Sequence, residues 1–251
     1  SLIHKYAAID SCLCQLELKG TTTREKEAVF RRLRELVTQI WFSHDFRAER
    51  PSPVDEAKWG FAVVENSLWR AIPHFLRRLD STLSESTHQS LPLKMSPVSF
   101  VSWMGGDRDG NPNVTSNVTA EVLLLSRWQA ATLYMRDINS LIEELSMINS
   151  NNYVKELSNS SREPYRAVLR DVRLQLKNTI DNIENQLDGR EPIYTNVIKN
   201  QKDLWDPIFA CYESLQDCGM QAIADGSIID LLRCISCFGT HLVRHDIRQH
   251  S

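Results

Sequence analysis

Side chains that could hold an anion or a metal lie close together in residues 102–115, which read SWMGGDRDGNPNVT. The segment carries the carboxylates of Asp107 and Asp109, the guanidinium of Arg108 and the indole of Trp103. Its three glycines and one proline indicate a backbone path that the chain itself specifies, because glycine allows positive φ and close approach of a ligand. A charged loop beside a large aromatic residue is more typical of a functional site than of a simple connection.

Two known kinds of binding loop fit this segment poorly. Asp107, Asp109 and Asn111 have the spacing that opens a calcium-binding loop, but Pro112 stands where that loop needs Gly, and Val118 where it needs Glu. A phosphate-binding P-loop needs Gly-Lys-Ser or Gly-Lys-Thr after its glycines, and the segment has neither. The remaining local alternative is a charged turn without a ligand.

Helical patterns surround the loop, and strands are few. A β-branched and aromatic run at 98–101 precedes the loop, and a long helical pattern follows from Thr115 or Ser116, which predicts a strand-to-helix connection. Apolar periodicity and capping signals predict helices over 1–19, from Thr22, from Ser52, from Thr115 to Ile148, and over 161–189, 199–218 and 227–238.

The predicted breaks between helices come from composition. Pro73 should kink or end the helix that begins at Ser52. Residues 81–94 are polar and are predicted to form an irregular connection. Residues 149–161 are rich in Asn and Ser, which predicts an internal loop and the best internal linker.

The segment 241–249 has the alternation of a strand with one charged face. Arg244, Asp246 and Arg248 share that face with Leu242. Such a face cannot be buried against a helix without a large desolvation cost. It can line a polar cavity, such as the centre of a β-barrel, where an anionic substrate and carboxylates offset the arginines.

Composition excludes several classes of protein. The net charge of −3 argues against a nucleic-acid-binding protein, and no apolar run approaches the length of about 20 residues that a membrane helix needs. The chain has no initiator Met and no signal peptide, so we expect residue 1 to be a cut end. The six cysteines lack the spacing of a four-ligand zinc site, which favours reduced thiols in a cytosolic protein.

The segment 102–115 resembles, without interruption, a signature of the phosphoenolpyruvate carboxylase family. Further similar segments follow the family's order: RPSPVDEAKWG at 50–60, LLLSRW at 123–128, CYESL at 211–215 and LVRHDIRQ at 242–249. The resemblance implies a mainly α fold, in which helices surround part of a TIM-like β-barrel and the chain supplies about two barrel strands, 98–103 and 241–248. It also implies that residues 1–251 are an internal segment of a single carboxylase domain.

The family converts phosphoenolpyruvate and bicarbonate to oxaloacetate and phosphate with Mg²⁺ or Mn²⁺, as a cytoplasmic homotetramer. In the scheme that the resemblance implies, bicarbonate takes the phosphoryl group, and the enolate of pyruvate then attacks the carbon dioxide released from carboxyphosphate. The phosphate needs planar, bidentate donors, which favours arginine. The enolate needs an apolar pocket that excludes water.

By resemblance, Arg248 takes the position that binds the substrate phosphate, and Trp103 the position of the hydrophobic pocket around the reacting carbon. The resemblance implies a supporting role for four loop residues, Asp107, Arg108, Asp109 and Asn111. Arg244 could support the phosphate or pair with Asp246, and we favour the pair.

Departures and absences qualify the resemblance. His245 stands where an apolar residue is common and His250 where Glu is usual, and we expect both histidines to be surface residues. Arg47, Arg50, Arg77 and Arg78 are candidates for an anion site, because enzymes of this family are often regulated by phosphorylated metabolites. We favour the other interpretation of these arginines, a solvated basic face.

The sequence contains no Thr-Ala-His-Pro-Thr-Glu strand and no Gly-Arg-Gly-Gly loop, and the expected metal-binding acids are not recognisable in it. We therefore expect the isolated chain to be inactive, with the metal ligands elsewhere in the full-length enzyme. A non-catalytic helical scaffold or interaction module derived from such an enzyme is the alternative hypothesis.

Overall fold

The computed structural model describes residues 2–43, 51–109 and 111–249. The chain forms two compact units, residues 1–50 and residues 51–251. The first unit is a pair of helices, α1 (Leu2–Glu17) and α2 (Thr23–Trp41). As the sequence predicts, Thr22 and Glu25 form a capping box at the start of α2: the Glu25 N–H donates to Thr22 Oγ1, and the Thr22 N–H donates to Glu25 Oε2.

The second unit is mainly helical, which confirms the predicted mainly α class. Its helices are α3 (Pro53–Val63), α4 (Trp69–Thr87), α5 (Ser116–Glu144), α6 (Asn152–Leu157), α7 (Pro164–Leu187), α8 (Gln201–Asp217), α9 (Gln221–Ile223) and α10 (Ile229–Phe238). Single π-helical turns, Val64–Leu68 and Ala224–Ile228, join α3 to α4 and α9 to α10. The long helices α5 and α7 pack along each other and bury apolar stripes that include Leu133, Ile138, Leu169 and Val172.

Pro73 does not end its helix, contrary to one of the two outcomes that the sequence predicts. Pro73 has no N–H, so the carbonyl of Trp69, four residues earlier, loses its helical donor. The thiol of Cys234 on α10 donates to that carbonyl at 3.6 Å. A tertiary contact therefore replaces the missing hydrogen bond, and α4 continues to Thr87.

The prediction of an irregular connection over 81–94 is wrong for its first half. Residues 81–87 are the last turns of α4, and their hydroxyls donate to carbonyls four residues earlier, as in Thr82 to Arg78 and Thr87 to Leu83. Beyond the helix, the backbone N–H of Leu91 donates to Asp80 Oδ1 at 2.6 Å, and the Leu91 side chain is buried. The polar composition therefore reflects an exposed helix face rather than an irregular chain.

The predicted loop 149–161 contains the helix α6. Asn151 caps α6 by accepting from the Val154 N–H, and its own N–H donates to Ser214 Oγ at 2.9 Å on α8. Val154 is fully buried. The segment is thus packed inside the second unit and does not link two units.

Two short strands pair in parallel, β1 (Val101–Ser102) and β2 (Arg244–His245). Val101 lies opposite Arg244, and Ser102 lies opposite His245. The predicted strands 98–103 and 241–248 are therefore adjacent, but each is shorter than predicted because regular pairing stops where the chain bends away to the helices or the loop. Backbone contact resumes further on, in an isolated bridge between Asp107 and Arg248.

A buried arginine holds the segment that leads into β1. Arg233 on α10 is only 1% exposed, and its guanidinium donates to the carbonyls of Leu91 and Pro92 at 3.1 and 3.3 Å. The same guanidinium lies 3.4 Å from a carboxylate oxygen of Asp80 on α4. One side chain thereby satisfies polar groups on both sides of the turn between α4 and β1.

We predict that Arg233→Ala lowers the free energy of unfolding by about 3 kcal/mol, because it removes the partner of a part-buried carboxylate and of two carbonyls. Urea unfolding followed by circular dichroism measures the change. Arg173→Ala is the matched control, since Arg173 is an exposed arginine on α7, and its effect should stay within about 0.5 kcal/mol. Equal stabilities of the two variants would contradict the structural role of Arg233.

Candidate functional site

The pairing of β1 with β2 brings together the two residues that the sequence singles out most strongly. Trp103 follows β1 directly, and Arg248 lies three residues after β2. The Arg248 guanidinium carbon is 5.2 Å from the centre of the Trp103 ring, which is a cation–π distance. Residues 145 positions apart therefore form one exposed surface with a planar cation against an indole face.

Asp246 fixes the other side of the Arg248 guanidinium. Arg248 Nε donates to Asp246 Oδ2 at 3.0 Å. The prediction that Asp246 pairs with Arg244 is wrong, because the carboxylate of Asp246 binds Arg248 and Arg244 is exposed. Among the described residues, the two Nη groups of Arg248 have no hydrogen-bond partner, which leaves them free to bind an anion.

The loop after Trp103 is a tight turn held by its own backbone. The Trp103 carbonyl accepts from the N–H groups of Gly106 and Asp107 at 2.9 and 3.0 Å. Gly105 has a φ of 74°, which a residue with a side chain adopts rarely. The Gly105 carbonyl accepts from Thr119 Oγ1 at 2.8 Å, so the turn is tied to the first turns of α5.

The loop's polar residues mostly organise its backbone. Asp107 Oδ1 accepts from the Asp109 N–H at 3.1 Å, and Asn111 Oδ1 accepts from the Asn113 N–H at 3.0 Å. Arg108 donates its backbone N–H to the carbonyl of Arg248 at 3.0 Å. These contacts are of the kind expected for supporting residues, while binding roles for Asp107, Arg108, Asp109 and Asn111 stay predictions.

Gly106 is the point of closest approach between the loop and β2. A Cβ at this position would lie 2.5 Å from the backbone oxygen of Asp246 and 2.9 Å from the ring of His245. The Arg248 N–H donates to the Gly106 carbonyl at 3.0 Å. Only glycine therefore lets the loop and the strand carrying Arg248 hydrogen-bond at this distance.

An apolar recess of about 300 Å³ is lined in part by Trp103. Its lining is almost entirely hydrocarbon and includes Phe61, Val64, Phe100 and Met104. The sequence places Phe61 and Val64 on the apolar stripe of the helix predicted from Ser52. It does not reveal this recess, because residues of the same stripe also form the core. Trp103 thus contacts a cation and also lines an apolar recess.

His245, which we expected to be a surface residue, is only partly exposed. Its ring packs against Gly106, and both ring nitrogens are buried without a hydrogen-bond partner among the described residues. Burial lowers the pKa of His245 below its ordinary value, whereas the charge of Asp246 and the nearby carbonyl of Gly105 act in the opposite direction. The sequence does not reveal this, because alternation along a strand shows which side chains share a face but not how deeply that face is buried.

The remaining candidates have structural explanations or fall outside the described residues. Arg77 donates to Asp230 Oδ1 at 2.6 Å and to the Gly226 carbonyl at 2.8 Å, so it links α4 to α10 and to the turn before α10. Arg47, Arg50 and His250 lie outside the described residues. In the described ranges, the cysteines are unpaired and no group of three His, Cys, Asp or Glu side chains could hold a metal ion.

Burial makes two of the thiols, Cys211 and Cys234, poor nucleophiles. It raises the pKa of Cys211 to about 12 and that of Cys234 well above its ordinary value.

No helix in the described part of the chain has the length and apolar character needed to cross a membrane.

We predict that Gly106→Ala lowers the free energy of unfolding by about 2 kcal/mol, because the new methyl group collides with backbone that cannot move aside. Gly226→Ala is the matched control: Gly226 has a negative φ of −85°, and no atom lies within 4 Å of its added Cβ. Thermal and urea unfolding of both variants measures the difference. A Gly106→Ala protein as stable as Gly226→Ala would show that the loop does not lie this close to β2.

Comparison with known proteins finds similarity over the whole chain. The family model described as phosphoenolpyruvate carboxylase matches residues 1–251. Proteins named phosphoenolpyruvate carboxylase from Vibrio vulnificus and from Aliivibrio salmonicida are 51% and 50% identical to this chain and match 100% of it. The relative from Photorhabdus laumondii is 50% identical over 254 residues.

The chain spans 29% of the length of these curated relatives. The match includes the loop at 102–115, β2 and the residues that bring Trp103 against Arg248. Because the family model covers the whole chain, the chain belongs to the phosphoenolpyruvate carboxylase family.

Proposed function

We propose that the full-length protein carboxylates phosphoenolpyruvate with bicarbonate to give oxaloacetate and phosphate, and that this chain supplies part of the substrate site. The observation that carries the proposal is the contact between Trp103 and Arg248, two residues that reach one another only through the pairing of β1 with β2. Membership of the family supports the reaction.

In this proposal, Arg248 binds the substrate phosphate. A guanidinium offers two parallel N–H donors that match two phosphate oxygens. Asp246 holds Nε at 3.0 Å and the Trp103 face supports the plane, so the two Nη groups keep a fixed direction before the substrate arrives. Less rotational freedom is then lost on binding than with an unsupported side chain.

Trp103 shields the reacting carbon in this proposal. The enolate formed on phosphoryl transfer would take a proton from water and leave as pyruvate unless water is excluded. The indole stands beside an apolar recess lined by Phe61 and Met104, which gives water no hydrogen-bond partners on that side. Carbon dioxide, which is apolar, can remain next to the enolate in such a place.

The ligands of the divalent cation are part of the proposal for the full-length enzyme. In the described ranges, no group of three or more His, Cys, Asp or Glu side chains could hold a metal ion. We infer that Mg²⁺ or Mn²⁺, when bound elsewhere in the full-length enzyme, supplies Lewis-acid stabilisation of the developing negative charge.

The wider arrangement is part of the same proposal. We place β1 and β2 as neighbouring strands in the wall of a TIM-like barrel, with helices such as α5 and α10 outside it. The parallel pairing supports this, because parallel strands occur mainly in sheets whose faces are covered. A cytoplasmic homotetramer that meets neither nucleic acid nor membrane is the assembly we propose for the full-length enzyme.

Arg248→Ala in the full-length protein should raise the KM for phosphoenolpyruvate on the order of 30-fold, because a charge-assisted hydrogen-bond pair is lost. Arg248→Lys should recover only part of the affinity, since an ammonium group cannot bind two oxygens in parallel. Steady-state kinetics at saturating bicarbonate measures both variants, with Arg173→Ala as the control. An unchanged KM in Arg248→Ala would remove Arg248 from the phosphate site.

Trp103→Ala should divert the reaction, so that pyruvate forms at the expense of oxaloacetate, because water then reaches the enolate. The ratio of the two products, measured with coupled malate and lactate dehydrogenases, is the readout. Trp103→Phe keeps an apolar ring and should retain most of the oxaloacetate. Equal product ratios in Trp103→Ala and the wild type would contradict shielding by Trp103.

We infer that the 251-residue chain alone makes no oxaloacetate, because the histidine strand, metal ligands and glycine-rich loops expected from the family are not in its sequence. The assay compares the purified chain with its Trp103→Ala variant. Oxaloacetate above the level of that variant would overturn the inference.

A further inference from the structure

His245 occupies the seam between the loop that carries Trp103 and the strand that leads to Arg248. It lies opposite Ser102 in the paired strands, and its ring atoms Cδ2 and Nε2 would be 2.9 Å from a Cβ on Gly106. Three backbone hydrogen bonds join this strand to the loop: Asp246 N–H to Ser102, Arg248 N–H to Gly106 and Arg108 N–H to Arg248. The ring therefore lies beside the backbone contacts that position Arg248.

The ring has no partner for either of its nitrogens among the described residues. A buried imidazole without partners is costly when neutral and more costly when charged, because the charged form needs two acceptors. The Gly105 carbonyl favours the charged ring, but it also accepts from Thr119 Oγ1 at 2.8 Å, and the effect of burial is larger. The folded arrangement thus favours the neutral ring, in agreement with the lowered pKa of His245.

The ionisable groups around the ring do not reverse this preference. Asp246 is the adjacent residue, and its charge favours protonation, but its carboxylate is engaged by Arg248 Nε. His245 lines a cavity of about 660 Å³ together with Cys237, His241 and Arg244. Burial raises the pKa of Cys237 and lowers that of His241, which favours the neutral form of both. Arg244, also in that lining, adds positive charge.

Resting on the proposed function, we propose that His245 is a positioning residue of the phosphate site. Its neutral ring keeps the Gly105–Gly106 turn seated against β2, so that Arg248 stays between Trp103 and Asp246. Protonation draws the ring toward water, separates the turn from β2 and releases Arg248 from its substrate-binding position.

The sign of the pH effect follows from the lowered pKa. Below the ordinary pKa of 6.5, an unfolded or released His245 takes up a proton more readily than the seated one. The arrangement with the ring against Gly106 is therefore fully stable above pH 6.5. It loses stability as the pH falls from 6.5 toward the lower pKa of His245 in the folded state. Substrate affinity should weaken over the same interval.

The test measures the KM for phosphoenolpyruvate of the full-length enzyme between about pH 7.5 and about pH 5.5, where an unshifted histidine titrates. The variants are His245→Leu, which removes both unsatisfied nitrogens, and His245→Gln, which stays polar but does not titrate. His74→Leu is the matched control, because His74 is an exposed histidine on α4. Titration of the substrate itself affects all four proteins equally.

We expect the KM of the wild type and of His74→Leu to rise at least about threefold more on acidification than the KM of either His245 variant. If His245→Leu does not fold, His245→Gln decides. Equal pH dependence in all four proteins overturns the positioning role.

Thermal melting across the same pH range separates this inference from the proposed function. Failure of the wild type to make oxaloacetate would refute the proposed function, and the melts would still test the role of His245. A melting temperature that falls on acidification more in the wild type than in both His245 variants supports that role. An equal fall in all of them overturns it.

Discussion

The parallel register of β1 and β2 is the constraint on which the site depends. Val101 lies opposite Arg244, and backbone hydrogen bonds continue the contact to Gly106 and Arg248. A slip by one residue would turn every side chain of β2 to the other face and part Arg248 from Trp103. Two strands of two residues each cannot hold this register alone, so the helices must hold it.

The helices do so through buried polar contacts as well as apolar packing. Arg233 holds the approach to β1 by binding the carbonyls of Leu91 and Pro92. Thr119 holds the turn after Trp103 from the side of α5. Each of these groups is directional and would be costly to leave unpaired, so together they select one path for the chain where apolar burial alone would accept several.

Local signals explain which parts of the fold were predictable. The capping box at Thr22, the glycine that ends α7 and the apolar stripe of α5 are written in neighbouring residues, and the structure has all of these features. Predictions failed where distant residues intervene. Cys234 lets α4 pass Pro73, and Ser214 anchors the segment that contains α6, although neither partner is close in sequence.

The sequence alone determined the mainly helical class, the glycine-rich loop and the family, because propensity, capping and motif spacing act over a few residues. It also named Trp103 and Arg248 as the residues to watch. Only the tertiary structure decided that Arg248 stacks on Trp103 and pairs with Asp246, and that His245 is enclosed. These outcomes depend on which strands are neighbours and on how deeply each strand face is buried. Both are set by contacts between residues far apart in the chain.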